Sequence, residues 1–326
     1  MMDLERIFSG IDQAKIGIIG DFCIDIYWRA DMKRSLLSRE TPHYPLPVVE
    51  ERMSPGGAGN VACNVAALQP KTLSVFGSIG ADWRGIVLKS LLEKENMDVS
   101  GLIVSENRVT NAYCKPLRCG ISDVIYEDPR LDFENYEKLD AEAEDKLIEM
   151  LKAADLDVLC VCDQMTYGCV TEKVRGVICE LGKKGMTVIA DSRDRIGLYE
   201  HVIVKPNEVE AMRALGKEMS YPEIAKAMEK KTHRPAIVTL GPDGCLVCEK
   251  GAVKSVPAFK AEPPLDICGA GDTFLSAMAC ALAAGCDLET AAQLGNLASS
   301  VTIQKLHVTG TASRDELRSA FALNFN

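Results

Sequence analysis

The sequence predicts an α/β protein: a mostly parallel sheet flanked by helices in three layers, with a small β-sheet projecting over it as a lid. Three observations carry that expectation. Short apolar runs such as Lys15 to Gly20, Asp157 to Cys162 and Met186 to Ala190 have the composition of strands buried on both faces. Helical stretches alternate with them, which is the rhythm of βα units on a parallel sheet. Two polar, β-forming stretches break that rhythm, one of them rich in proline. The expected division is a core of residues 1–24, 53–108 and 131–326 and a lid of residues 25–52 and 109–130. A chain of 326 residues suits one large domain with such an elaboration.

Composition narrows the function. With 47 acidic against 37 basic residues the net charge is −10, and the clusters Lys183-Lys184 and Lys230-Lys231 lie at expected helix ends. No basic groove for a nucleic acid is implied. No run reaches the ~18 apolar residues of a membrane span, and the N-terminus lacks a secretion pattern, so a cytoplasmic location is expected. Most of the 13 cysteines sit inside apolar runs and read as small core residues. Cys245 and Cys248 form a CxxC, but on a strand, where residues three apart face opposite sides, so no zinc site is expected.

In chain order, the first strand ends at Gly20, and Asp21 and Asp25 follow. Carboxylates at strand ends can hold substrate hydroxyls, while Asp21 can equally form a turn and Asp25 be merely solvated. Pro42, Pro45 and Pro47 before Val48-Val49 suggest extended edge strands. Gly56-Gly57-Ala58-Gly59 then opens a helix on which Asn60 and Asn64 lie one turn apart, both amides on one face. Strands are expected at Thr72 to Gly77 and Leu102 to Val104, with a helix from Trp83 to Glu95 capped by Asp82. Val109 to Tyr126 reads as a further pair of strands and carries Lys115 and Arg118.

After Leu139 the βα rhythm resumes with a helix to Leu151 and another from Thr171 to Lys183, and Asp163 and Asp191 follow their strands directly. Lys205-Pro206-Asn207 leads to Glu210; Asn207 and Glu210 have the spacing of a capping box and also suit a hydrated magnesium ion. Thr239 precedes a tight turn, Gly241 to Gly244, which admits either a hairpin or a nucleotide near the backbone. Asp266-Ile267-Cys268-Gly269-Ala270-Gly271-Asp272 opens the apolar helix Phe274 to Ala284, the composition of an anion hole at a helix N-terminus. Asp272 either caps that helix or works as a base. Helices from Leu288 to Lys305, carrying Asn296, and from Ser313 to Ala322 complete the chain.

Together the Gly56 to Asn60, Asn207 to Glu210 and Asp266 to Asp272 elements resemble the PfkB family of carbohydrate kinases, and the likeness covers nearly the whole chain. Gly20-Asp21, Tyr27-Trp28, Pro47-Val48-Val49 and Arg130-Leu131-Asp132-Phe133-Glu134 are similar to the kinase domain acting on C1 of D-glycero-D-manno-heptose 7-phosphate. The resemblance implies a ribokinase-like fold and ATP-dependent phosphoryl transfer. It assigns Asp272 as general base and Gly269, Ala270 and Gly271 as the anion hole. Asp21, Asp25, Gly56, Gly57, Asn60 and Asn64 match sugar-binding positions, while Asn207 and Glu210 match the motif that organises magnesium through water. Lys205, Thr239, Gly241, Gly244 and Asn296 are expected on the nucleotide side. Asp266 begins a potassium loop in many members, although Ile267 and Cys268 leave this one without a hydroxyl. Lys115 and Arg118, or Arg34 with Arg39, are candidates for holding a phosphate on the substrate. A stand-alone kinase, dimeric through its lid strands, is the expectation. Rival readings are a kinase for another sugar or a nucleoside, and a noncatalytic sugar-binding regulator.

Overall fold

A computed structural model describes residues 2–306 and 308–325. The outermost limits expected for the core, residues 1 and 326, lie outside the described residues.

Helix α1 (Leu4–Ile11) leads into β1 (Lys15–Gly20). Asp21 alone separates β1 from β2 (Phe22–Asp31), which belongs to a different sheet. β3 (Val48–Gly57) returns antiparallel to β2 and runs into α2 (Ala58–Ala67). The core then takes up β4 (Thr72–Gly80), α3 (Trp83–Lys94) and β5 (Asp98–Ser105). Asp82 caps α3 by accepting from the Gly85 N–H at 2.9 Å. β6 (Asn111–Cys119), β7 (Tyr126–Glu127) and β8 (Leu131–Phe133) complete the small sheet. The second half of the core is α4 (Ala141–Ala153), β9 (Val158–Asp163), α5 (Glu172–Lys183), β10 (Thr187–Ser192) and β11 (Ile203–Val204). It continues through α6 (Glu208–Leu215), α7 (Tyr221–Thr232), β12 (Ala236–Thr239), β13 (Cys245–Glu249) and β14 (Ala252–Val256). Three helices close the chain: α8 (Ala270–Ala283), α9 (Leu288–Thr302) and α10 (Arg314–Phe325).

The large sheet has nine strands in the order β14-β13-β12-β11-β10-β9-β1-β4-β5, antiparallel only at β13 and β14. Successive side chains of β9 go to opposite faces: Val158, Cys160 and Cys162 join the cluster of α1, α2, α8, α9 and α10, and Leu159 and Val161 that of α4 to α7. Three layers result. The strand order reverses between β1 and β9, and the carboxyl ends on either side of such a reversal form the crevice where open α/β sheets bind ligands.

The small sheet runs β3-β2-β6-β7, with β8 also on β6. Val109 to Tyr126 therefore supplies one long strand, parallel to β2, with only the first residue of β7, rather than a pair of strands. The sheet also reaches past the expected lid limits, starting at Phe22, running to Gly57 and taking in Leu131 to Phe133. Alternation sorts its two faces. Ile24, Ile26, Ala112 and Cys114 pack as an apolar cluster with Val87 and Leu91 of α3. The other parity places Asp25 and Tyr27 of β2 beside Tyr113 and Lys115 of β6 and Ser54 and Arg52 of β3, a polar wall.

Candidate active site

The centre is the start of α8. Gly269 is its N-cap at φ 80°, a left-handed conformation that favours glycine, and no side chain caps the helix. The capping alternative for Asp272 is thus not what is seen. Its Oδ2 accepts from the Asn60 amide of α2 at 2.7 Å, and the carboxylate makes no other hydrogen bond among the described residues. Burial pushes Asp272 up to about 6; the Asn60 bond and Lys205 oppose that rise, and Asp191 and Asp25 add to it. The N–H groups of Gly269, Gly271 and Asp272 have no backbone acceptor among the described residues, as first-turn groups need not. Ala270 departs from expectation: its N–H is given to Ile267 O at 3.1 Å, so it is not open to an anion as its neighbours are.

Lys205, at the end of β11, lies beneath this turn. A Cβ at Gly271 would stand 3.7 Å from its ammonium. Lys205 pairs with Asp191 at 3.0 Å, both side chains under one-tenth exposed. Burial alone would lower the lysine's pKa; Asp191, and Glu210 more weakly, outweigh it and hold the ammonium above its ordinary range.

Facing the start of α8 is the polar wall of the lid. Burial raises Asp25, against the pull of Lys115 3.5 Å away. Lys115 also donates to the Tyr27 hydroxyl at 3.0 Å and lies over that ring, as does Arg52, while Arg130 stacks on Tyr113 at 4.2 Å. Gly56 makes room here: a Cβ would come within 2.7 Å of Asp25 Oδ2. The exposed Cys268 thiol feels Lys115, Asp25 and Asp272 together, so wall and helix start face one space. Over residues 14–314 the sequence matches the pattern of the pfkB family carbohydrate kinase. The chain belongs to that family. By class it is an ATP-dependent carbohydrate kinase.

Among curated relatives, the bifunctional protein HldE of Gluconobacter oxydans is 29% identical over 315 residues, 93% of this chain and 63% of the relative. HldE of Helicobacter pylori is 28% identical over 312 residues, 93% and 66% respectively. The kinase thus spans about two thirds of the length of these relatives. Its fold is ribokinase-like. Phosphofructokinase-2 from Escherichia coli in complex with potassium aligns at a TM-score of 0.75 and 21% identity, covering 96% of this chain and all of that one. Ribokinase from Thermotoga maritima aligns at 0.68 and 22%, covering 95% and 99%.

Asn207 and Glu210 form a capping box on α6: Asn207 Oδ1 accepts from Glu210 N–H at 2.8 Å, and Glu210 Oε2 from Asn207 N–H at 2.9 Å. The box leaves Glu210 Oε1 open, and burial raises that carboxyl, with Asp191 adding to the rise. Among the described residues no group of three or more His, Cys, Asp or Glu could ligate a metal directly. This donor set fits an ion held through its waters. Thr239 bridges to Asn207 beside the Gly241–Asp243 turn. Asp266 accepts from Cys268 N–H at 3.0 Å, a contact that shapes the approach to Gly269.

Several of the residues expected to bind ligand make contacts within the scaffold. Both oxygens of Asp21 accept backbone donors, Gln164 and Met165 on one and Cys169 on the other, so it anchors the loop after β9. Gly57 lets Ala58 N–H reach Asp21 O at 3.0 Å. Asn64 is buried between Asn60 O and the Thr273 hydroxyl. Arg118 has the opposite strand parity to Lys115 and pairs with Asp128 at 2.6 Å. Arg34 pairs with Asp31 at 3.2 Å, at the far end of β2. Asn296 donates to Val256 O and Pro257 O, and Gly244 packs directly on Val256, so both shape the β13–β14 edge. Arg52, Asp191 and Arg193 were not assigned from sequence, and Arg130 stood only within the segment that carries the heptose-kinase likeness; of the other three only Asp191 carried a signal, as an aspartate ending a strand.

Proposed function

We propose that this kinase transfers the γ-phosphate of ATP to C1 of a heptose 7-phosphate, with Asp272 as general base. The observation that carries the reading is the Asp272–Asn60 contact at the uncapped start of α8. One carboxylate oxygen is oriented by an amide, the other is unbonded, and the pKa is raised to about 6, close enough to neutrality for a base that is ionised yet still proton-hungry. The acceptor hydroxyl gives its proton to the unbonded oxygen as it attacks. The N–H groups of Gly269 and Gly271 and the Lys205 ammonium then meet the charge that spreads over the transferring phosphoryl oxygens. Asp25 and the Asn60 region hold the sugar so that attack is in line, which is where most of the rate enhancement of such transfers arises.

Magnesium would be held through water by Glu210 and Asn207, supplying charge neutralisation for the nucleotide phosphates. Thr239 and the Gly241 turn border the nucleotide. A potassium ion at the Asp266 loop, a cytoplasmic location and a dimer formed through the β3 edge belong to the same reading. Val48 and Val49 on that edge are 49% and 42% exposed, which favours pairing with another strand. No helix among the described residues is long and apolar enough to cross a membrane.

Support for the heptose acceptor comes from the Arg130 to Glu134 segment and from the HldE relatives. A second reading, another sugar or sugar phosphate, is favoured by the fold shared with phosphofructokinase-2 and ribokinase. The test is ADP release, coupled to a reporter enzyme, over a panel of heptose 7-phosphate, fructose 6-phosphate, ribose and a nucleoside. Heptose 7-phosphate should exceed the others in kcat/KM by about 100-fold, some 3 kcal/mol of discrimination. A better acceptor elsewhere in the panel replaces the heptose; no turnover of any of the four removes the heptose reading and places the acceptor outside the panel.

A further inference from the structure

The turn after β10, Ser192-Arg193-Asp194-Arg195, carries three charged side chains, and two of them are spent. Arg195 grips the buried carboxylate of Asp163, and Asp194 pairs with Arg213 at 2.5 Å. Arg193 differs. Its N–H donates to Asp163 O at 3.2 Å and its carbonyl accepts from Arg213 at 3.3 Å, so its backbone is fixed on both sides. Its guanidinium makes no hydrogen bond or ion pair among the described residues.

Arg193 lines a polar cavity of about 140 Å³ between the lid and the ends of β9 and β10. Asn111 and Tyr113 contribute from the polar wall, and Gln164, whose N–H is committed to Asp21, contributes a side-chain amide with no hydrogen-bond partner among the described residues. Tyr113 is the β6 neighbour of Asp25, so the cavity opens beside the residues that would hold the reacting end of the sugar. Glu134 also lines it, so an anion entering must settle toward Arg193 and leave Glu134 to hydroxyls.

We propose that this cavity is the subsite for the phosphate already present on the acceptor, and that Arg193 is the residue that reads it. A guanidinium offers paired N–H donors matched to phosphate oxygens, and this one hangs from a fixed backbone with no partner among the described residues. The inference rests on the acceptor being a sugar phosphate and deepens that reading.

Arg193→Gln and Arg193→Lys test it, with heptose 7-phosphate and its unphosphorylated sugar as acceptors and ATP varied separately. In Arg193→Gln the KM for the sugar phosphate should rise tenfold or more, with partial recovery in Arg193→Lys. The KM for ATP should move less than twofold, and the preference for the phosphorylated over the unphosphorylated acceptor should collapse. An unchanged sugar-phosphate KM overturns the assignment. So does a loss confined to kcat or to the ATP KM, which would move Arg193 to the donor side, toward Glu210, whose carboxyl already feels it. If the wild type itself shows no preference for a phosphorylated acceptor, the underlying reading fails, whatever the variants do.

Discussion

Two carboxylates at the mouth of the large sheet, Asp21 after β1 and Asp272 at the start of α8, are both raised by burial to about 6. Their surroundings are opposite. Asp21 accepts three backbone N–H groups across its two oxygens, and a side chain at Gly168 would collide with it. Asp272 accepts one side-chain amide on one oxygen and keeps the other open. A raised pKa therefore marks a desolvated carboxylate without naming its job. Unused acceptor capacity separates the two: the saturated group holds a loop in place, and the half-satisfied one has somewhere to put a proton.

Substituting Asp272 by Asn should give the largest effect. The shape and the contact to Asn60 are nearly kept while the basic oxygen pair is lost, so kcat should fall by on the order of 1,000-fold, about 4 kcal/mol of transition-state stabilisation. ATP binding, followed by calorimetry, should stay within a few-fold of wild type. Near-normal turnover would move the base elsewhere and erase the distinction between the two aspartates.

Asp21→Asn should act on stability first. One oxygen becomes an NH₂ group facing an N–H donor, leaving buried partners unsatisfied at a cost of about 1–3 kcal/mol. The melting temperature should drop, and limited proteolysis should open the chain between Asp163 and Cys169. A large kcat loss in a variant that melts normally would instead put Asp21 on the substrate.

The contrast between the two aspartates was only half legible in the sequence. Asp272 stood in a local motif, three small residues and then an apolar helix, so its placement followed from chain-local geometry. Asp21 and Asp25 looked alike as carboxylates after a strand. What separates them is that the chain changes sheets at Asp21, which turns its carboxylate under the β9 loop, while strand parity turns Asp25 onto the polar wall. Parity likewise divides Lys115 from Arg118, three residues apart on one strand. With both residues on β6 the division is forced, but the register of β6 on β2 is a tertiary fact. Arg52 and Arg193 come from separate segments, and nothing local marks them, while Arg130 stood out only through the likeness of its segment. The apolar runs, by contrast, announced the core strands because burial on both faces leaves no choice of residue type.

The smallest effect is also the cleanest comparison of the two groups, because it reads each carboxylate through the pH dependence of folding. Each has a folded pKa near 6 against an ordinary value of 3.8. Between those values the folded chain binds a proton that the unfolded chain has released, so each contributes stability that is complete below about 3.8 and lost as pH rises through about 6. Wild type should therefore lose stability from pH 4.5 to pH 7.5 through two groups and each Asn variant through one. For Asp272, half-buried and partly screened, the share removed should be about 1 kcal/mol, so Asp272→Asn should gain on wild type as pH rises. Asp21 is buried more deeply, but its three N–H donors offset part of the rise, so its share should be similar in sign. Urea titrations at the two pH values measure both. If Asp272→Asn keeps the full wild-type slope, Asp272 is not raised in the folded enzyme, and the case for it as a base poised near neutrality loses its electrostatic support.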